Sequence, residues 1–201
     1  VARGRTMRPP RIIAIGSSTG GPQALLALLG ALSPKVSCPI VIAQHMPATF
    51  TTVLAQHIER ASGRPSCEAA TGMEIKPGHI YLAPGDYHFE IVRDGAGFAA
   101  RLSQTPPQNF CRPSVDPLFH SVAQIFGAES CAIMLTGMGS DGCGGAKAIA
   151  AAGSPVIAQD EATSVVWGMP GAVAQAGICS AILPLPKIAG HVAALFESAA
   201  P

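Results

Sequence analysis

Two patterns of apolar residues alternate along this chain. Short continuous runs at 11–15, 40–44, 80–83, 130–135, 155–159 and 181–183, the last stopped by Pro184, have the length and flanking turn residues of buried strands. Between most of them, apolar residues recur at helical spacing over 22–32, 49–61, 115–126, 145–152, 170–176 and 186–198. This alternation predicts an α/β fold, a doubly wound and mostly parallel sheet with helices on both faces. The stretch from Tyr87 to Leu102 departs from it. Asp94-Gly95 sits there between two short runs, which predicts an antiparallel hairpin added beside the main sheet.

Composition narrows the picture. A chain of 201 residues with 48% hydrophobic content is long enough for one sizeable core, and nothing divides it into two comparable domains. The 22 glycines and 18 prolines fall mostly between the apolar runs, where they punctuate loops. A net charge of +1 argues against a general affinity for nucleic acid, which needs several phosphate contacts. Arg3, Arg5, Arg8 and Arg11 form the one notable basic cluster and read as a tether. No apolar run free of turn residues is long enough to span a bilayer, so no membrane insertion is expected. The six cysteines are scattered without a C-x-x-C pair and read as reduced thiols. His57, His79, His88, His120 and His191 have no metal-ligand spacing, and neither a metal nor an organic cofactor is implied.

Candidate chemistry lies where strands should become helices. Residues 13–23, IAIGSSTGGPQ, carry a buried strand into a helix through three hydroxyl residues and three glycines. Such a corner aims unpaired N–H groups and partial positive charge at a phosphate or an oxyanion. The spacing disfavours a dinucleotide: G-x-G-x-x-G is lacking, and the second run ends in Gln44-His45 instead of an acidic residue. Gly16 to Gly20 instead fits G-x-S-x-G, with Ser18 as its central serine. The run at 130–135 leads into TGMGSDG, which places Asp141 at another strand-to-helix turn. In a parallel sheet the strand ends share one edge, so Ser18, His45 and Asp141 would lie on one rim. They are the residue types needed for an activated serine: nucleophile, imidazole base and orienting carboxylate. Each also has a structural reading, with Ser18 as a helix cap, His45 as a hydrogen-bonded strand end and Asp141 as a turn former or cap.

Five ordered motifs take the argument further. GSSTGG at 16–21, VIAQHMP at 41–47, RPSVDPLF at 112–119, LTGMGSDG at 135–142 and AQDEATSVVWGMPGAV at 158–173 together resemble the catalytic domain of the CheB family, the chemotaxis protein-glutamate methylesterases. The resemblance implies a linker-like N-terminal segment over 1–10 and a catalytic domain over 11–198. It implies Ser18 as nucleophile, His45 as base and Asp141 as the residue that orients His45. It points to the backbone N–H of Met138 as oxyanion donor. Thr19, beside the nucleophile, is a candidate for positioning substrate or water, with capping the alternative.

The implied reaction is hydrolysis of glutamate γ-methyl esters on the cytoplasmic helices of methyl-accepting chemoreceptors, with methanol released. Deamidation of receptor glutamines is implied as a second activity, and a cytoplasmic location follows. The family usually carries a phosphorylatable receiver domain ahead of the catalytic one. Here only about ten linker-like residues precede the catalytic motifs, which implies either an excised catalytic fragment or a protein encoded without its receiver domain, and in both cases activity independent of phosphorylation is expected. The alternatives are a serine esterase acting on another ester and a non-catalytic receptor-binding module. Cys143, close to Asp141, is a formal alternative nucleophile, His88 a candidate neighbour of the cleft, and Trp167 and Met169 candidates for its mouth.

Overall fold

A computed structural model describes residues 8–197. Arg3 and Arg5 of the basic cluster, and Ser198 at the end of the expected last helix, lie outside the described residues. Strand β1 (Ile12–Ser17) is buried along its whole length. It pairs in parallel with β2 (Ile40–Gln44) on one side and β7 (Ser130–Met134) on the other. Beyond β2 lie β4 (Ile80–Leu82) and the edge strand β3 (Ser66–Glu68). Beyond β7 lie β8 (Val156–Gln159) and β9 (Ala181–Leu183), which completes a seven-stranded parallel sheet in the order β3-β4-β2-β1-β7-β8-β9.

Alternate side chains of β1 feed two cores, as the pleat requires. Ile13 and Ile15 pack with α1 (Gly21–Gly30), α2 (Ala48–Ser62) and α6 (Leu185–Glu197). Ile12 and Ala14 pack with α3 (Val115–Phe126), α4 (Cys143–Ala151) and α5 (Met169–Gln175) on the opposite face. Ile12, Ile13 and Ile15 are each no more than 1% exposed, so each contributes roughly 1.5–3 kcal/mol of apolar burial. Helices on both faces of one parallel sheet are the doubly wound arrangement expected from the alternation. The hairpin forms as a separate antiparallel pair, β5 (His88–Asp94) and β6 (Gly97–Ser103), with Asp94 opposite Gly97 across the turn. It packs on the α3 side, where the Ile91 N–H donates to Ser121 Oγ at 2.9 Å.

Three differences from the pattern have local causes. Strand β1 runs on to Ser17 because the Ser17 hydroxyl donates to the Gln44 side chain in the neighbouring strand and is satisfied while buried. Helix α4 starts at Cys143, ahead of two glycines, because Asp116 Oδ1 accepts from the Gly145 N–H at 2.7 Å and steadies its first turn. Strand β3 has three residues, none of them buried, and leaves no apolar run to read.

From β1 the chain goes to β2 on one side and later returns to β7 on the other. The loops leaving β1 and β7 therefore diverge, and the crevice between them is where this fold places its ligands.

Candidate active site

Ser18 and His45 are the first residues beyond β1 and β2, and the register that pairs Ser17 with Gln44 sets them side by side. Gln44 locks this arrangement. Its Nε2 donates to Ser18 O at 2.9 Å and to His45 O at 3.1 Å, while its Oε1 accepts from Ser17 Oγ. Of the two adjacent serines, Ser17 is fully buried with its hydroxyl committed. Ser18 is half-buried, and every hydrogen bond it makes among the described residues runs through its backbone. Neither Ser18 nor Thr19 caps α1. Gly20, left-handed at φ 78°, occupies the N-cap position without a side-chain cap, directly after the loop that carries Ser18.

Asp141 reaches the same rim from the loop after β7 and is 2% exposed. Its Oδ2 accepts from His45 Nε2 and from the Val115 N–H, both at 2.6 Å. Its Oδ1 accepts from Ser114 Oγ at 2.7 Å, Asn109 Nδ2 at 2.9 Å and the Asp116 N–H at 3.2 Å. Val115 and Asp116 open α3, so the carboxylate also sits at a helix N-terminus. Burial would raise its pKa, but the hydrogen bonds from His45, Val115 and Ser114, with the charge of His45, outweigh that and hold it below the usual aspartate value.

An ionised carboxylate only accepts, so Nε2 carries the proton shared with Asp141, and in the neutral imidazole the lone pair is on Nδ1. The Cys111 Sγ lies 3.5 Å from Nδ1. Burial and the Asp141 charge raise the Cys111 pKa, so it stays a thiol and its S–H donates to that nitrogen.

The third wall is the turn after β7. A Cβ on Gly137 would lie 2.8 Å from Ser18 Cβ and 2.9 Å from Ser18 N, so only glycine permits this approach. Met138 follows it with its side chain 68% exposed, and among the described residues its N–H has no acceptor. Three Gly137 hydrogen bonds, its N–H to Val166 O and its carbonyl from the Gly168 and Met169 N–H groups, fix the turn against the next loop. Among the described residues no group of three or more His, Cys, Asp or Glu side chains is arranged to hold a metal ion.

The CheB methylesterase family model matches residues 13–192. The chain belongs to the CheB methylesterase family. Among CheB relatives, it is 58% identical over 188 residues to the protein-glutamate methylesterase/protein-glutamine glutaminase 1 of Paramagnetospirillum magneticum, covering 93% of this chain and 49% of that protein. It is 60% identical over 185 residues to the protein of the same name from Rhodospirillum rubrum, covering 91% of this chain and 48% of that protein. The chain thus spans about half the length of the curated relatives it matches. The crystal structure of the Thermotoga maritima CheB methylesterase catalytic domain superposes with a TM-score of 0.90 at 39% identity, over 92% of this chain and 98% of that one.

Other residues of the CheB fold that drew notice in the sequence take packing positions. His88 is 1% exposed and accepts the Ser114 N–H on Nδ1 while Nε2 donates to Pro106 O, so it braces the loop that carries Ser114. Met169 is fully buried, and Trp167 donates from Nε1 to Gln159 O at 3.0 Å. Cys143 donates to Ala172 O on α5. Asn109, Ser114 and Cys111 touch Asp141 or His45 directly but carry no periodic signal. Ser114 is the exception in part, since a serine directly before an apolar helical run marks a helix start.

Proposed function

We propose that this domain hydrolyses glutamate γ-methyl esters on the cytoplasmic helices of methyl-accepting chemoreceptors, releasing methanol, and deamidates receptor glutamines at the same site. The observation that carries this reading is the union of Ser18, His45 and Asp141 on one rim, with Asp141 bonded to Nε2 and only the Cys111 thiol on Nδ1. The names of the relatives, protein-glutamate methylesterase/protein-glutamine glutaminase, support the substrate and both activities. A cytoplasmic location belongs to the same reading; among the described residues no helix is long and apolar enough to cross a membrane.

The Ser18 Oγ attacks the ester carbonyl carbon as His45 Nδ1 takes its proton, displacing the Cys111 thiol from that nitrogen. Asp141 stabilises the imidazolium through Nε2. The negative oxygen of the tetrahedral adduct is held by the Met138 N–H, with the open N-terminus of α1 adding a favourable field. The C–O bond to the methoxy group breaks as the imidazolium protonates it, and methanol leaves. Water, deprotonated by the same Nδ1, then attacks the glutamyl ester on Ser18 and releases glutamate and the free hydroxyl. Deamidation follows the same course with ammonia as leaving group. Thr19, exposed beside the nucleophile, is placed to orient substrate or water.

The test is methanol release from a methylated chemoreceptor by the wild type and by Ser18→Ala. Loss of the nucleophile is expected to lower turnover by roughly 10⁴-fold or more. Equal rates would remove Ser18 from the mechanism. An inactive wild type that still binds receptor would favour a binding role.

A further inference from the structure

The turn between Gln108 and Cys111 is an anomaly beside the triad. Its ends exchange backbone hydrogen bonds, Gln108 N–H to Cys111 O at 3.1 Å and Cys111 N–H to Gln108 O at 2.9 Å. Its two central residues, Asn109 and Phe110, are both left-handed at φ 52° and 64°. A two-residue turn with both central φ positive is the type I′ form, in which glycine is the ordinary second central residue. Here a phenylalanine fills that position, against the steric preference of any residue with a Cβ. Its ring is 103% exposed, so it neither packs nor caps anything in the fold.

The turn is nonetheless tightly held. Asn109 Nδ2 donates to Asp116 Oδ2 and Asp141 Oδ1, each at 2.9 Å, and Cys111 lies against His45 Nδ1. Arg112, the next residue, is bound to Asp86 at 2.6 Å. A strained, solvent-facing aromatic ring is thus clamped in place one residue from a contact with the base. Strain of this kind persists where the surroundings enforce it, and it gathers at functional sites.

The geometry points to Phe110 as a specificity-determining residue, whose ring packs against the helical protein substrate beside the ester under attack. The inference rests on the proposed function and names how that substrate is gripped. The occupant follows from position: Asn109 and Cys111, on either side of Phe110, contact Asp141 and His45, so a helix that presents its ester to the triad comes up beside the ring. The remainder of that rim suits an uncharged ester on a partly apolar helix. Phe50 is 57% exposed at the start of α2, Met138 68% after β7 and Val165 66% after β8. On this inference a small ester reaches Ser18 without touching the ring.

The experiment compares wild type, Phe110→Gly and Phe110→Leu on a methylated receptor and on p-nitrophenyl acetate, with the melting temperature measured in parallel. Phe110→Gly is expected to raise KM for the receptor by about 10-fold or more while kcat and the small-ester rate stay within about twofold. Its melting temperature should rise by about 2–4 °C as the backbone strain is relieved. Phe110→Leu should recover most of the KM, since it restores apolar bulk. An unchanged receptor KM in Phe110→Gly would overturn the inference, as would a parallel fall in the small-ester rate. So would a change confined to self-association, which would assign the ring to a second copy of the chain. A wild type that releases no methanol from the receptor would sink the proposed function and this inference together. An active wild type with an equally active Phe110→Gly would sink the inference alone.

Discussion

The two ends of the same parallel strands treat polar groups in opposite ways. At the amino ends most polar side chains close turns close to water, and the buried pair Ser130 and Ser154 at the start of β7 is the exception. Arg64 donates from Nη2 to Ser33 O at 2.9 Å and from Nη1 to Val36 O, and Glu129 pairs with Arg8 and Arg11 at 3.5 and 3.4 Å. At the carboxyl ends, Ser17, Gln44, Thr136, Asp141 and Gln159 are buried and bond to one another's loops. Burying that many polar groups costs free energy unless each finds a partner, and among the described residues none of the buried side-chain polar atoms lacks one. The amino ends therefore carry interactions that can be removed piecemeal, whereas the carboxyl ends carry one network in which each member holds another.

Asp141 is the sharpest test of that contrast, because five hydrogen bonds converge on it. Asp141→Asn keeps the shape but turns an N–H₂ group toward groups that donate, and it no longer holds the His45 proton on Nε2. Receptor demethylation, and phosphonylation of Ser18 by an active-site probe, should each slow by roughly 10⁴-fold. Asp141→Ala removes every acceptor at once. It should destabilise the fold by roughly 3 kcal/mol or more, read from denaturant midpoints, because buried donors on α3 and the 109–116 loop are left unpaired.

The pH dependence of this carboxylate has a definite sign. Its native pKa is lowered, so the unfolded chain binds the proton more readily and the charged network favours the folded state. That contribution is complete above the unfolded aspartate value of about 3.9 and is lost as pH falls through the lower native value. The stability gap between wild type and Asp141→Asn should therefore narrow as pH falls below about 5. A gap that is flat down to the acid limit of folding would contradict the lowered pKa.

How much of this was legible in the sequence differs in the same way between the interior and the rim. Sheet and helices were readable because burial imposes a period: six of the seven parallel strands are apolar runs, and the helices carry apolar residues at helical spacing. Strand β3 escaped because its residues are half-exposed and gain their place from pairing with β4 and from Glu68 accepting the Thr51 and Thr52 hydroxyls. Ser18, His45 and Asp141 were readable because each follows directly on a strand or the short turn after one. Asn109 and Cys111 were not, because a loop that folds onto a site from elsewhere in the chain leaves no period to detect, and Ser114 was legible only as a helix start. Phe110 lay further out of reach, since its meaning depends on a backbone angle.

Smaller effects are expected at the amino ends. Arg64→Ala should cost about 1–3 kcal/mol, since it removes charge-assisted bonds to two carbonyls that close the loop between α1 and β2. Turnover should be unchanged, because that loop enters the sheet at the end opposite Ser18. A parallel fall in turnover would mean that the two ends are coupled through the strands and that the contrast drawn between them is false.

The smallest expected effect separates two contributions within one exposed cluster. Glu129→Gln removes the charge that Arg8 and Arg11 share, and exposed pairs of this kind contribute less than about 1 kcal/mol and weaken as salt is added. Arg11 does more than pair with Glu129. Its guanidinium carbon lies 5.5 Å from the centre of the Phe98 ring and 5.9 Å from that of Phe126, so it bridges β6 to the end of α3 by stacking. Arg11→Ala should therefore cost more than Glu129→Gln, by about 0.5–1 kcal/mol, and the excess should survive in high salt, where the ion pair is screened. Equal costs for the two variants would leave the aromatic contact without energetic weight. An Arg11→Ala cost that vanished in high salt would assign its whole effect to charge.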